Sequence, residues 1–145
     1  MKVMVIIKAT AESEAGVMPS HEVLTKMGQF NEELVKAGLL LAGEGLHPTS
    51  KGVRIRFPEG AVTDGPFAET KELIGGYWLW QVKNIQEAVD WLQRSPFRTF
   101  TEHEVEIRQV FEADDFGEAF TPDLREQEAR IMAEAARQSK ATAVT

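Results

Sequence analysis

The spacing of apolar and polar residues changes several times along this chain, and each change marks an element. Residues 3–8 are a run of β-branched and apolar side chains, the composition of a strand covered on both faces. Residues 10–19 are polar, contain Gly16 and Pro19, and read as a loop. Ser20 stands where a helix needs an N-cap, since its hydroxyl accepts from an unpaired amide of the first turn. Val23, Leu24, Met27, Phe30, Leu34 and Val35 then recur at helical spacing, and Gly38 offers the left-handed residue that ends such a helix. Residues 39–44 predict a second strand. Residues 53–57 alternate strictly and predict a half-exposed strand, with a turn at Pro58-Glu59-Gly60 and a short hairpin partner at 61–63. Residues 76–82 form an aromatic-rich strand with Tyr77, Trp78 and Trp80. Asn84 and Glu87 have the spacing of a capping box for a helix with Ile85, Ala88, Val89 and Leu92 inward, which Ser95-Pro96 stops. Val105, Ile107 and Gln109 alternate with Glu104, Glu106 and Arg108 in a last strand.

The order is β-α-β, a hairpin insertion, then β-α-β again. That is an α+β class with a ferredoxin-like split β-α-β sheet and both helices on one face. The halves agree in element order but not in sequence. Two helices leave the second sheet face bare, although Met4, Ile6, Tyr77 and Leu79 project there. Packing against a second copy covers it, and a twofold homodimer is the expected assembly. The competing reading is that the hairpin and a C-terminal helix cover the face within one chain. Residues 1–111 are thus expected to form one domain, and residues 112–145 an acidic linker and an extra helix. That helix is capped by Thr121 with Pro122 at its first position. Its stripe of Leu124, Ile131, Met132 and Ala135 is interrupted by Glu128. It docks on its own domain or embraces a partner subunit, and its tail after Gln138 is expected to fray.

Composition narrows the function classes. A chain of 145 residues, 43% hydrophobic, buries a core without staples, and it holds no cysteine. Disulfides, thiolate metal sites and cysteine nucleophiles are excluded together. The net charge is −7 and the basic residues are scattered, so the basic stripe of a nucleic-acid binder is absent. No apolar run reaches the roughly 20 residues of a membrane helix. The short apolar N-terminus reads as a strand rather than a secretion signal. The expected compartment is the cytoplasm, with neither nucleic acid nor membrane as partner.

Residues 64–72, from Asp64-Gly65-Pro66-Phe67 to Lys71-Glu72, put dense charge beside a tight turn. This nonamer resembles the signature of the DGPF branch of the YCII-related family. Phe30 to Leu34, Leu41 to Leu46, Gly75 to Tyr77, Glu87-Ala88 and Val105 to Arg108 agree with it in order and spacing across residues 1–111. The resemblance implies a dimeric ferredoxin-like α+β barrel with a cleft near the strand ends. It implies, less specifically, chemistry on hydroxylated aromatic rings, or association with an extracytoplasmic-function sigma factor. YCII proteins proper carry a histidine on the first helix, proposed to pair with an aspartate. Counted back from Gly38, that position is Met27 here, and His21 lies nearly two turns earlier.

The candidate chemistry centres on the nonamer. Asp64, beside the ring of Phe67, is either a general base or the carboxylate of an Asx-turn across Gly65-Pro66. His47, three residues after Glu44 in a loop at a strand end, is its candidate partner or a plain surface histidine. Convergence of Glu44, His47 and Asp64 would make a proton-transfer site or a weak divalent-cation site, although no tight ligand spacing supports a metal. Glu69, Lys71 and Glu72 line a cleft or pair on the surface. Arg108 anchors an anionic substrate or pairs with Glu106. Neither a metal nor an organic cofactor is expected. The leading expectation is an acid–base enzyme acting on a small polar or aromatic molecule. A non-catalytic dimeric ligand-binding or regulatory module associated with a sigma factor is the alternative.

Overall fold

The computed structural model describes residues 1–143, which fall into two compact units, Met1–Val110 and a second that begins at Phe111. In the first unit, strands β1 (Lys2–Lys8), β2 (Leu40–Gly45), β5 (Ile74–Gln81) and β6 (Val105–Gln109) form one antiparallel sheet in the order β2-β5-β1-β6. With α2 (His21–Lys36) after β1 and α3 (Ile85–Gln93) after β5, this is the ferredoxin-like α+β arrangement. The inserted hairpin pairs β3 (Val53–Arg56) with β4 (Ala61–Asp64).

Local chemistry fixes both sheet-covering helices. The Ser20 hydroxyl accepts from the Val23 amide at 3.2 Å. At the other end Gly38 takes a left-handed φ of 76°, and the Leu39 amide donates back to the Leu34 carbonyl at 2.9 Å. For α3, the Asn84 side chain accepts from the Glu87 amide, while the Glu87 carboxylate accepts from Lys83 rather than from the cap itself. Both helices cover one sheet face. Phe30 and Leu34 from α2 and Ala88 from α3 bury Val3, Val5, Trp78 and Trp80.

The pleat sends the alternate residues to the opposite face. Cross-strand pairing sets them in two rows, Ala42–Leu79–Met4–Arg108 and Glu44–Tyr77–Ile6–Glu106. Ile6 is buried, and Met4, Ala42, Tyr77 and Leu79 are half-buried. Leu41 is squeezed out at an irregularity between Leu40 and Ala42 and stays exposed.

Three features depart from expectation. Residues 10–19 are not all loop, because Ala11–Glu14 form a helical turn, α1. Thr10 Oγ1 accepts from the Ser13 amide at 3.1 Å, and the Thr10 amide donates to Ser13 Oγ at 2.9 Å, so serine closes the box that glutamate usually closes. The hairpin is wholly exposed rather than half-exposed: Val53, Ile55 and Val62 share one of its faces and are all exposed. In the second unit, α4 (Pro122–Ala143) continues past Gln138, where fraying was expected; residues 144 and 145 lie outside the described residues. Thr121 caps α4 as expected, its Oγ1 accepting from the Leu124 amide at 3.3 Å. Leu124, Ile131 and Met132 along α4 are all exposed.

Candidate functional site

A cleft of about 590 Å³ opens between α1, the first turns of α2 and the loop that leads into β6. Its apolar wall includes Val23, Met27, Phe97 and Phe100. Glu12, Glu22, Lys26 and His103 supply the ionisable groups. The size is that of a small-molecule pocket, as is the mixture of rings with a few polar groups. Lys26 Nζ lies 3.1 Å from the Glu22 carboxylate one turn earlier on α2. His103 packs against Phe97 and Phe100 with ring centroids 5.1 and 6.3 Å away. This histidine was not singled out in the sequence. The readable signal was the three-residue spacing of Phe97, Phe100 and His103, which begins in a 3₁₀ turn at Pro96–Thr99.

The signature nonamer turns out to be bolted to α1. The Glu14 carboxylate accepts from the Thr49 amide at 3.0 Å and from the Thr49 hydroxyl at 2.6 Å. Thr49 Oγ1 in turn accepts from the Phe67 amide at 3.1 Å, and the Gly65 amide donates to the Gly52 carbonyl at 2.9 Å. Thr49, not Asp64, therefore holds the turn, and the Asp64 carboxylate makes no hydrogen bond across Gly65-Pro66 among the described residues. The charged group over the Phe67 ring is the Arg54 guanidinium, 3.9 Å from its centroid.

The seven candidate residues singled out in the sequence are distributed over the first unit. His47 is exposed and lines a second cleft, of about 680 Å³, with Ser13, Glu14, Leu46 and Lys51. Neither Glu44 nor Asp64 lines it. Asp64 ends β4 opposite Val53, exposed and outside all four described clefts. Glu44 and Arg108 project from the helix-free face on the two edge strands, which lie about 14 Å apart by strand spacing, and they stand in different rows. Arg108 lies 3.8 Å from Glu106, itself 3.8 Å from Lys8, which is the loose surface pairing weighed for it. Lys71 lines a further cleft of about 520 Å³, with Lys8, Glu12 and Glu104; His103 stands on the wall that this cleft shares with the first.

Glu69 is exposed in the left-handed region, at φ 65°. Its carboxyl is raised above the ordinary carboxylate value, first by a hydrogen bond with the Glu72 carboxyl and then by that group's charge, while Arg54 acts the other way. A raised carboxyl stabilises the fold only in its protonated form. Its contribution is complete below the unfolded value and fades as pH rises through the raised one. Among the described residues no three His, Asp or Glu side chains gather to hold a metal ion, and no helix is long and apolar enough to cross a membrane.

Comparison with known proteins agrees with the nonamer. Over 72 residues, 48% of this chain, the sequence is 35% identical to an uncharacterised protein of Rhizobium meliloti (strain 1021). The match covers 58% of that relative, so the chain spans little more than half of its length. Among solved structures it is similar to the 5-chloro-2-hydroxyhydroquinone dehydrochlorinase of Burkholderia phenoliruptrix AC1100, determined in complex with 2,5-dihydroxybenzoquinone. That similarity has 16% identity and a TM-score of 0.42, and covers 77% of this chain and 96% of that one. The model of the YCII-related domain matches residues 1–114, and the chain belongs to the YCII-related domain family.

Proposed function

We propose that the protein is a homodimeric small-molecule-binding protein whose ligand, a planar polar molecule, sits in the cleft between α1 and α2 and undergoes proton transfer there without an organic cofactor. The lining of that cleft carries the reading: Met27, Phe97 and Phe100 wall a ring, and Glu12, Glu22, Lys26 and His103 stand beside them. Sites of this kind combine mainly apolar walls with a few placed polar groups. The chemistry thereby moves from the Asp64 bend, which lies outside the described clefts, to the α1–α2 cleft. Planar aromatic fragments are expected to bind the wild type. Met27→Trp, which fills the cleft, should weaken them by about tenfold or more, a loss of roughly 1.4 kcal/mol. Unchanged affinity in that variant overturns the site.

The homodimer rests on the helix-free face. Met4, Ile6, Ala42, Tyr77 and Leu79 form a continuous apolar band that neither α2 nor α3 covers. Sedimentation at low micromolar concentration should give a dimer, and a clean monomer defeats this part of the proposal.

A second reading is binding without turnover, as a regulatory module with a sigma factor as partner. Met27, on the cleft wall where the family resemblance expects a histidine, supports it. A fragment that binds tightly and is recovered chemically unaltered would favour this alternative.

A further inference from the structure

The α1–α2 cleft contains one side chain built to exchange a proton. We infer that His103, through Nε2, takes the proton from an ionisable O–H or N–H on a ring-bearing ligand; this deepens the cleft reading and rests on it. The inference begins with the loop. After Ser95 the chain makes a 3₁₀ turn over Pro96–Thr99, and Phe97 and Phe100, three residues apart, meet edge to face with centroids 5.8 Å apart. His103, three residues further on, packs against both rings, so its plane is fixed by aromatic contacts rather than by its own rotamer preference alone.

Its polar edge is fixed as well. Nδ1 lies 2.6 Å from the Thr101 carbonyl oxygen. A carbonyl only accepts, so Nδ1 carries the hydrogen and the neutral ring keeps its lone pair on Nε2. Among the described residues Nε2 has no hydrogen-bond partner. A half-buried imidazole with one nitrogen tethered and the other free is the arrangement a general base requires.

The other charged groups nearby are less suited to the task. Glu22 is tied to Lys26 at 3.1 Å, and Glu12 lies on the exposed face of α1. Lys8, Lys71, Glu12, Glu102 and Glu104 line the neighbouring cleft with His103, two ammonium groups against three carboxylates. In the transfer the ligand O–H or N–H bond breaks and an Nε2–H bond forms, while the electron pair remains on the ligand atom. The Thr101 carbonyl keeps its hydrogen bond to Nδ1 throughout, so the step breaks no bond within the protein. Lys26, paired with Glu22, is the cation in the same lining that is available to the anion that forms.

The test uses 4-nitrophenol, a planar ring whose absorbance reports whether its hydroxyl is ionised. It is added to the wild type, His103→Gln, His103→Phe and Met27→Trp at a pH where the free dye is partly ionised. Dye bound to the wild type should be more ionised than free dye. Both His103 variants should bind it without that excess, and His103→Phe retains the packing against Phe97 and Phe100, so a lost excess there is not a packing defect. The inference is overturned if the wild type does not bind the dye, if bound dye shows no excess ionisation, or if the excess persists in both His103 variants. Loss of binding in Met27→Trp keeps the cleft as the site even when the His103 role fails. Undiminished binding in Met27→Trp overturns the cleft and His103 with it.

Discussion

Replacing Gly65 with alanine should cost about 3 kcal/mol, the upper part of the range for overpacking a closed site. A Cβ built on Gly65 would stand 1.6 Å from the Thr49 carbonyl oxygen and 2.6 Å from its carbon. Those are backbone atoms, so no side chain can swing away to make room. Nor is the Thr49 segment free to retreat. Its amide and hydroxyl are held by Glu14, its hydroxyl receives the Phe67 amide, and its carbonyl accepts from Gly52. Either the methyl group strains this knot or the knot opens, taking with it hydrogen bonds worth about 1 kcal/mol each. Urea unfolding should show a lower midpoint, with faster amide exchange at Phe67. An unchanged midpoint with unchanged exchange at Phe67 would mean that the close approach is not a constraint on the fold.

Phe30→Ala should be more damaging still, at about 4 kcal/mol. Phe30 is only 3% exposed and stands at the centre of the aromatic core. Its ring centroid lies 5.7 Å from that of Trp78, 6.3 Å from Trp80 and 6.4 Å from Trp91. These large indoles have few positions into which they can collapse, so truncation leaves a cavity and forfeits the edge-to-face contacts. Against a typical stability of about 5–15 kcal/mol this is a large fraction. The melting temperature should fall by on the order of 10 °C in a chain of this size. A shift of only a degree or two would show that α2 is not the main cover of the sheet.

The division between what the sequence revealed and what it concealed follows the range of the interactions. Caps act over three or four residues, so Ser20, Gly38, Asn84 and Thr121 could each be read where they stand. Strand alternation is equally local, and the sheet order follows from the arrangement of β-α-β units. The role of the nonamer was hidden because its partners are remote: Glu14 and Thr49 are 35 positions apart, and Thr49 and Phe67 are 18 apart. Seen alone, Asp64-Gly65-Pro66 presents a free carboxylate at a bend, which looks like chemistry. In the fold, the adjoining glycine and the Phe67 amide matter for close approach to Thr49. α1 escaped notice because it is short and has no buried residue to give a period. His103 escaped because its value lies in what surrounds it, two rings and a backbone carbonyl, and not in its residue type.

The ligand site itself can be located directly. Titrating a planar aromatic fragment into labelled wild-type protein, and following amide and side-chain resonances, reports which residues it touches. The cleft account predicts saturable shifts concentrated at Met27, Phe97, Phe100 and His103. Shifts confined to residues 45–51 around His47, or to the Asp64 bend, would contradict it.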